Sequence, residues 1–471
     1  MPNMTTQLVV VGAGPGGYPA AFLAADLGME VTLVDMEPNP GGVCLYRGCI
    51  PSKALLHASK LLTEAREASE IGIHFEAPKI DVPKLRAWKE SVVGKLTGGL
   101  GQLSKARKVR YIQGRARFTD AQTLSIKHPD GAEETLTFQQ ALLATGSRPA
   151  VIPNFPVEPS CIWDSTTALN LEAVPASLLV VGGGYIGLEL GSVYASLGSK
   201  VTVVEMMPGL LPGADRDLVA VLAKRLKGAF QSILLNTRVI EMSKTDAGVR
   251  VKFEGPDVKE PEQLFEKVLV SVGRKPNTSD LGLENTKVQI DAKGFVKVNL
   301  QRQTDEPSIY AIGDVAGEPM LAHKATHEGR LAVEAIAGHK VAFEPRAIPA
   351  VVFTDPEIAW CGLTETQAKA EGRDIKTAKF PWGASGRATT LNRNDGATKL
   401  VVDPESQRIL GVGIAGSGAG DLIAEAVLAI EMGAVVSDLK LTIHPHPTLS
   451  ETVMEAAEVF FGQSAHFYQK K

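Results

Sequence analysis

Cysteine is scarce in this chain: four thiols in 471 residues, at Cys44, Cys49, Cys161 and Cys361. A disulfide-stapled scaffold needs far more, so the fold must rest on an ordinary core. No long apolar run occurs, and about 18 such residues are needed to cross a bilayer, so no membrane span is expected. Residues 1–7 hold neither the basic nor the apolar part of a secretory signal. An excess of one charge sign is missing too. Forty-nine Lys and Arg stand against 53 Asp and Glu, a net charge of -4 with pI ≈ 6.2. That balance gives no electrostatic footprint for nucleic acid or an acidic membrane. A cytoplasmic location is expected. In such a protein a close pair of cysteines points to catalysis or metal binding before structure.

Glycine, by contrast, is abundant: 46 residues, about a tenth of the chain. Residues 8–11 read as a β-branched strand that runs into Gly12-Ala13-Gly14-Pro15-Gly16-Gly17. An alanine-rich helix to about Gly28 and a strand over 30–34 ending at Asp35 follow. Strand, G-x-G-x-x-G, helix, strand and acid make up the dinucleotide fingerprint. Gly12 makes the turn, Gly14 lets backbone approach a pyrophosphate, and Gly17 lets helix pack on strand. The helix N-terminus faces the phosphates, and Asp35 is placed for a ribose hydroxyl. The pattern then recurs. A strand over 177–181 leads into Gly182-Gly183-Gly184-Tyr185-Ile186-Gly187, a helix to about Leu197, and a strand over 200–204 ending at Glu205. The first glycine and the acid are equally spaced in both copies. Two fingerprints imply two dinucleotides. Thr145-Gly146-Ser147-Arg148-Pro149 and Gly273-Arg274-Lys275-Pro276 echo one another as domain exits.

Between the copies lies Gly41-Gly42-Val43-Cys44, then Cys49-Ile50-Pro51-Ser52-Lys53. In an ideal helix, residues five apart sit roughly 8–9 Å from one another, whereas a disulfide needs about 4.4–6.8 Å between α-carbons. An oxidised pair therefore requires a distorted turn, which Gly48 and Pro51 permit, and strain makes such a bond reducible. Cys49 precedes a helix start, where the dipole favours a thiolate. Lys53 follows on the same helical face. A redox couple is the favoured reading, two buried thiols the alternative. No further Cys or His stands nearby at ligand spacing, so no metal is expected.

Further on, a helix is expected from Pro51 to about residue 68, amphipathic material to 105, strands over 109–128, and a buried strand over 141–146. Residues 308–312 read as a strand ending in Gly313-Asp314, with a helix over 322–337. From 347 the texture becomes α+β: strands at 350–353, 399–402 and 409–414, helices at 364–372 and 421–432. The tail carries His444-Pro445-His446-Pro447-Thr448, then Glu451 and a last helix to 461. His446 can shuttle a proton near neutral pH, and Glu451 could orient its ring, although a lone histidine is more often structural. Cys161 and Cys361 read as small apolar fillers.

Taken together, the Gly-Gly-x-Cys-x4-Cys-Ile-Pro-Ser-Lys stretch, both fingerprints, Ala311-Ile312-Gly313-Asp314 and the C-terminal His-x-His-Pro-Thr resemble the flavoprotein disulfide reductases along essentially the whole chain. Within them the likeness is greatest to the members that oxidise dihydrolipoamide. The resemblance implies an α/β fold with two Rossmann-like domains and a C-terminal α+β dimerisation domain. Its bounds are 1–149 for FAD with the redox disulfide, 150–277 for NAD, 278–346 for a central domain completing the FAD site, and 347–471 for the interface. FAD is implied at Gly12, Gly14, Gly17, Asp35, Gly42, Lys53, Ala116, Thr145, Gly146, Asp314 (a helix N-cap on its bland reading), Leu321, Ala322 and His323. Relatives often have glutamate where Asp35 stands. NAD is implied at Gly182, Gly184, Ile186, Gly187, Glu189, Glu205, Val239 and Gly273.

Catalysis is implied for Cys44 toward the substrate and Cys49 toward the flavin, with Lys53 paired to Glu189, His446 as base and Glu451 behind it. His444 reads as structural, and Pro445 stands where the family usually has alanine. Glu205 accepts from the 2′-hydroxyl of NAD and repels the 2′-phosphate of NADP. A charged hydrogen bond contributes roughly 1.5–3 kcal/mol, and no arginine follows until Arg216, so NAD is the expected partner cofactor. The implied form is a homodimer serving a lipoylated acyltransferase of 2-oxo acid dehydrogenase complexes, or the lipoyl carrier of glycine cleavage. No fused lipoyl domain is expected, since the first strand starts by Leu8. A glutathione- or mercuric-reductase-like enzyme is the alternative. Glu205 and a tail over 466–471 without cysteine argue against it, and the full set of redox residues argues against a purely structural role.

Overall fold

The structure is a computed structural model describing residues 4–152 and 160–468. Parts of the two terminal stretches read above, and 153–159 in the expected NAD segment, lie outside the described residues. The chain forms two compact units.

The first unit comprises the chain up to Ala54, Pro83–Val151 and Gly273–Glu344. Its centre is a parallel run of strands in the order Arg110–Gln113, Val31–Asp35, Met4–Val11, Glu133–Leu143 and Ile309–Ala311. Leu8, Val9, Val10 and Leu33 are fully buried. Such continuous apolar strands follow from covering a parallel sheet on both faces. Helices Gly17–Asp26 and Ala322–Ile336 supply Ala20, Ala21, Ala24, Ala332 and Val333 to one of those cores. Glu133–Leu143 changes partner along its length. One edge pairs with Met4–Val11 from Leu136 to Leu143, while the other first closes an antiparallel meander with Thr123–Lys127 and Arg115–Asp120 and then pairs with Ile309–Ala311. The two echoing exit motifs pair as a short antiparallel ribbon, Ser147–Pro149 against Arg274–Pro276.

The second unit comprises Leu55–Val82, Ile152–Val272 and the chain from Pro345. It holds a parallel five-stranded sheet in the order Ser232–Leu234, Lys200–Val204, Ser177–Val181, Lys267–Val270, Ile162–Trp163. Beside it lies a three-stranded antiparallel sheet, Arg238–Thr245, Gly248–Glu254 and Glu262–Phe265. The C-terminal part folds as an antiparallel five-stranded sheet with helices Ala419–Glu431 and Glu451–Phe461 packed on its buried face. Two of its strands, Glu357–Gly362 and Lys376–Pro381, escaped the sequence reading. The second is an edge strand with two lysines, Lys376 and Lys379, that stops at a proline, the composition an edge tolerates and a pattern reader takes for a loop. Among the described residues, no helix is long and apolar enough to cross a membrane.

Candidate active site and dinucleotide sites

Both glycine loops are built alike. Gly17 opens its helix so close to the strand that a Cβ there would lie 1.8 Å from the Gly12 carbonyl oxygen. Gly42, at φ +56°, presses on the same loop, where a Cβ would meet the Gly14 α-carbon at 2.5 Å. The acids tie the loops down. Asp35 accepts the N–H of Ala13 at 2.6 Å and of Glu37 at 2.9 Å. Glu205 accepts the N–H of Gly183 at 2.6 Å and of Met207 at 2.8 Å. Burial pushes the Asp35 carboxyl up from its ordinary value, against the pull of its N–H bonds. The residues present suit dinucleotides. Around Gly184 nothing lies within 4 Å of where a Cβ would stand, so backbone is bare toward a ligand, and helix Tyr185–Leu197 starts there without a side-chain cap. Helix Gly17–Asp26 likewise has no side-chain cap. Uncapped N–H groups and the helix dipole favour a phosphate. Gly182, Ile186 and Gly187 belong to the same strand–loop–helix corner; Val239 lies on Arg238–Thr245 and Gly273 at the end of the exit ribbon.

The first unit gathers other expected flavin residues around the exit ribbon. Thr145 donates through Oγ1 to the Asn277 carbonyl at 2.8 Å, and the Gly146 carbonyl accepts the Asn277 N–H. Asp314 is no helix cap: the short helix Gly313–Val315 has Ile312 in that place and no side-chain cap bond. Instead Asp314 Oδ2 accepts the Ser147 hydroxyl at 2.5 Å, and Ser147 Oγ in turn accepts Arg274 Nε at 2.7 Å. Ser147 and Arg274 were read only as boundary residues; the signal was there, a serine and an arginine inside two echoing motifs. Helix Ala322–Ile336 begins after Leu321 with no side-chain cap bond, with His323 in its first turn. Ala116 is a buried core residue of strand Arg115–Asp120, so its backbone is what it can offer a nucleotide.

At the cysteines the chain does what their spacing demands. Helix Gly42–Arg47 carries Cys44, the path breaks at Gly48 (φ -143°, ψ -114°), and helix Cys49–Glu67 restarts at Cys49 itself. The break brings two sulfurs that an intact helix would separate into hydrogen-bond contact, both as thiols. The Cys44 thiol is pushed far above its ordinary value by that bond to Cys49, then by burial and by the charge of Cys49. Cys49 is exposed at a helix N-terminus with Lys53 one turn on. Glu189 is 3% exposed and accepts the Phe353 N–H at 3.0 Å.

The C-terminal loop separates its histidines by environment. His446 has 74% of its side chain exposed, with Nδ1 2.8 Å from Glu451 Oε1. Glu451 also accepts the Thr448 N–H through Oε2 at 2.7 Å. Against the upward push of burial, that N–H and His446 hold the Glu451 carboxyl below its ordinary value. With Nδ1 engaged, Nε2 is left to take a proton from outside. His444 has only 5% of its side chain exposed, and both nitrogens are engaged, by Glu425 and by the Thr442 carbonyl, each at 2.9 Å. The His446–Pro447 peptide is cis. Leu428, Met432, Leu441 and Ile443 stand exposed in this C-terminal part. Of the other cysteines, Cys361 is buried, which pushes its thiol up to about 12, and Cys161 is half-buried.

Residues 6–329 match the family described as pyridine nucleotide-disulphide oxidoreductase, and 348–457 match its dimerisation domain. The dihydrolipoyl dehydrogenase of Haemophilus influenzae is 49% identical over 460 residues, 98% of this chain and 96% of that one. That of Geobacillus stearothermophilus is 49% identical over 466 residues, 99% and 98% of the two chains. The crystal structure of LpdA from Mycobacterium tuberculosis superposes with a TM-score of 0.89 at 29% identity, over 96% of this chain and 99% of that one. With such identity over almost the full length, and both family regions present in order, this chain belongs to the pyridine nucleotide-disulphide oxidoreductases.

Proposed function

We propose that this enzyme oxidises dihydrolipoamide to lipoamide and reduces NAD to NADH, with FAD and NAD as its cofactors. The observation that carries the reading is the break at Gly48 beside a nucleotide loop, which sets Cys44 in one short helix and Cys49, exposed, at the start of the next. His446 Nε2 takes a proton from one substrate thiol while Glu451 holds the ring. The substrate thiolate attacks Cys44 Sγ of the oxidised pair; the S–S bond breaks and Cys49 leaves as a thiolate. The second substrate thiol displaces Cys44, closing lipoamide and leaving the enzyme dithiol. FAD, held at the first glycine corner, would supply the two-electron relay that re-forms the Cys44–Cys49 disulfide and delivers hydride to NAD at the second corner. Asp314 receives a hydroxyl of the flavin's ribityl chain, and Glu205 a ribose hydroxyl of NAD.

The match to the dimerisation domain, together with the exposed apolar side chains near His446, supports a homodimer in which the histidine loop serves the redox pair of a second copy. Lipoylated acyltransferases of 2-oxo acid dehydrogenase complexes, or the lipoyl carrier of glycine cleavage, are the fitting partners, in the cytoplasm. The test is turnover by the purified FAD-loaded protein. Dihydrolipoamide with NAD should be the preferred pair. Failure of that pair, with glutathione disulfide reduced at the expense of NADPH, would overturn the reading. Serine at Cys44 or at Cys49 should abolish turnover.

A further inference from the structure

One carboxylate of the first unit has no part in the chemistry so far. Glu328 is fully buried in helix Ala322–Ile336. It accepts the Gly313 N–H at 2.6 Å, Lys324 Nζ at 3.1 Å and Arg302 Nη1 at 3.0 Å. Lys324, one turn earlier and 5% exposed, donates to the Gly317 carbonyl at 3.0 Å and the Gly313 carbonyl at 3.4 Å. Both backbone polar groups of a single residue, Gly313, are thus held by the two halves of one i,i+4 ion pair. Buried charges of this kind persist only when fully partnered; here the partners are spent on one turn. That turn lies against the helix, since at Gly313 (φ +71°) a Cβ would stand 2.9 Å from Ala325 Cβ. The next residue is Asp314, whose Oδ2 is fixed from the other side by Ser147.

We propose that Lys324 and Glu328 are positioning residues for the flavin: they clamp Gly313 so that Asp314 presents its carboxylate in one orientation to a hydroxyl of the cofactor. The proposal rests on the reading above that Asp314 receives a ribityl hydroxyl. Neither side chain touches the reacting atoms.

The test is FAD affinity, measured by flavin fluorescence on titrating the apoprotein. Lys324→Met keeps the Arg302–Glu328 pair and the side-chain volume while removing both carbonyl ties. It should weaken FAD binding about tenfold or more, the scale of one charged hydrogen bond, with far-UV circular dichroism unchanged. Asp314→Asn should weaken it similarly, and the double variant should be no weaker than the poorer single one, because both act through the same contact. Lys324→Gln, which keeps one donor, should fall between wild type and Lys324→Met, and it serves if the methionine variant does not fold. Unchanged FAD affinity in the Lys324 variants, or additive losses in the double variant, would overturn the clamp and leave the Asp314 reading standing. Wild-type affinity in Asp314→Asn would instead remove that reading, and the clamp with it.

Discussion

Glu451 and His446 form a pair whose strength depends on pH in a stated direction. The Glu451 carboxyl sits below its ordinary 4.5 in the folded chain. Its contribution to stability is therefore present above about that value and is lost as pH falls through the lower, folded-state one. Urea unfolding of wild type and Glu451→Gln should show a gap at pH 7 that closes in strong acid. A gap of equal size at both ends would mean the carboxylate is not what stabilises the loop. At the cysteines, iodoacetamide should alkylate the reduced, FAD-loaded protein at Cys44, the thiol turned toward the substrate in the proposed mechanism, well before Cys49, the one turned toward the flavin. Peptide mass spectrometry reads the order directly, and equal labelling would remove the asymmetry on which the mechanism rests. These residues were legible in the sequence because each stands inside a contiguous motif. The Asp314–Ser147–Arg274 chain was legible only in part: the echoing motifs marked two of its members, but its three separate stretches are brought together only by the sheets.

Among elements, the second fingerprint was readable to within a residue or two: strand Ser177–Val181, helix Tyr185–Leu197 and strand Lys200–Val204 lie where the pattern puts them, whereas the first strand begins at Met4, four residues before its apolar run. Fully buried parallel strands carry dense apolar runs, and their glycine turns are unambiguous. The C-terminal sheet was read in part, because Glu357–Gly362 follows a turn at Asp355-Pro356 too closely to stand out. The element with most chemical leverage is the break between the two cysteine helices. At Gly48 a Cβ would lie 2.9 Å from the Val43 carbonyl oxygen. Gly48→Ala should force the helices apart there and lower dihydrolipoamide turnover by about a hundredfold, the scale of a 1 Å misplacement. The far-UV spectrum should stay unchanged. Turnover near wild type would show that the cysteines do not depend on that break.

On the scale of the whole molecule, distant segments of the second unit are joined by one buried ammonium. Lys399, on strand Ala397–Val402, has 2% of its side chain exposed. It meets Asp215 and Asp217 at 2.7 Å and Glu365 at 3.0 Å. These three are the one group of possible metal ligands found among the described residues, and the lysine fills its centre. Lys399→Met would leave the carboxylates facing each other and should cost about 3–5 kcal/mol, the usual result of removing one side of a buried ion cluster. Denaturant titration measures it; a loss below about 1 kcal/mol would mean the acids find other partners. No reading of the sequence links positions 215, 217, 365 and 399, since nothing local marks them as neighbours.

The repeated nucleotide corner carries a lesson for altering cofactor choice. Glu205, which the proposed function makes the acceptor of a ribose hydroxyl of NAD, is also the anchor of its own loop, through Gly183 and Met207. Glu205→Arg should raise the NADP to NAD preference, as steady-state kinetics with the two cofactors would report, yet weaken affinity for both because the loop loses its tether. An engineer who wants an efficient NADP enzyme from this scaffold must supply a new acceptor for those two N–H groups before adding the positive charge.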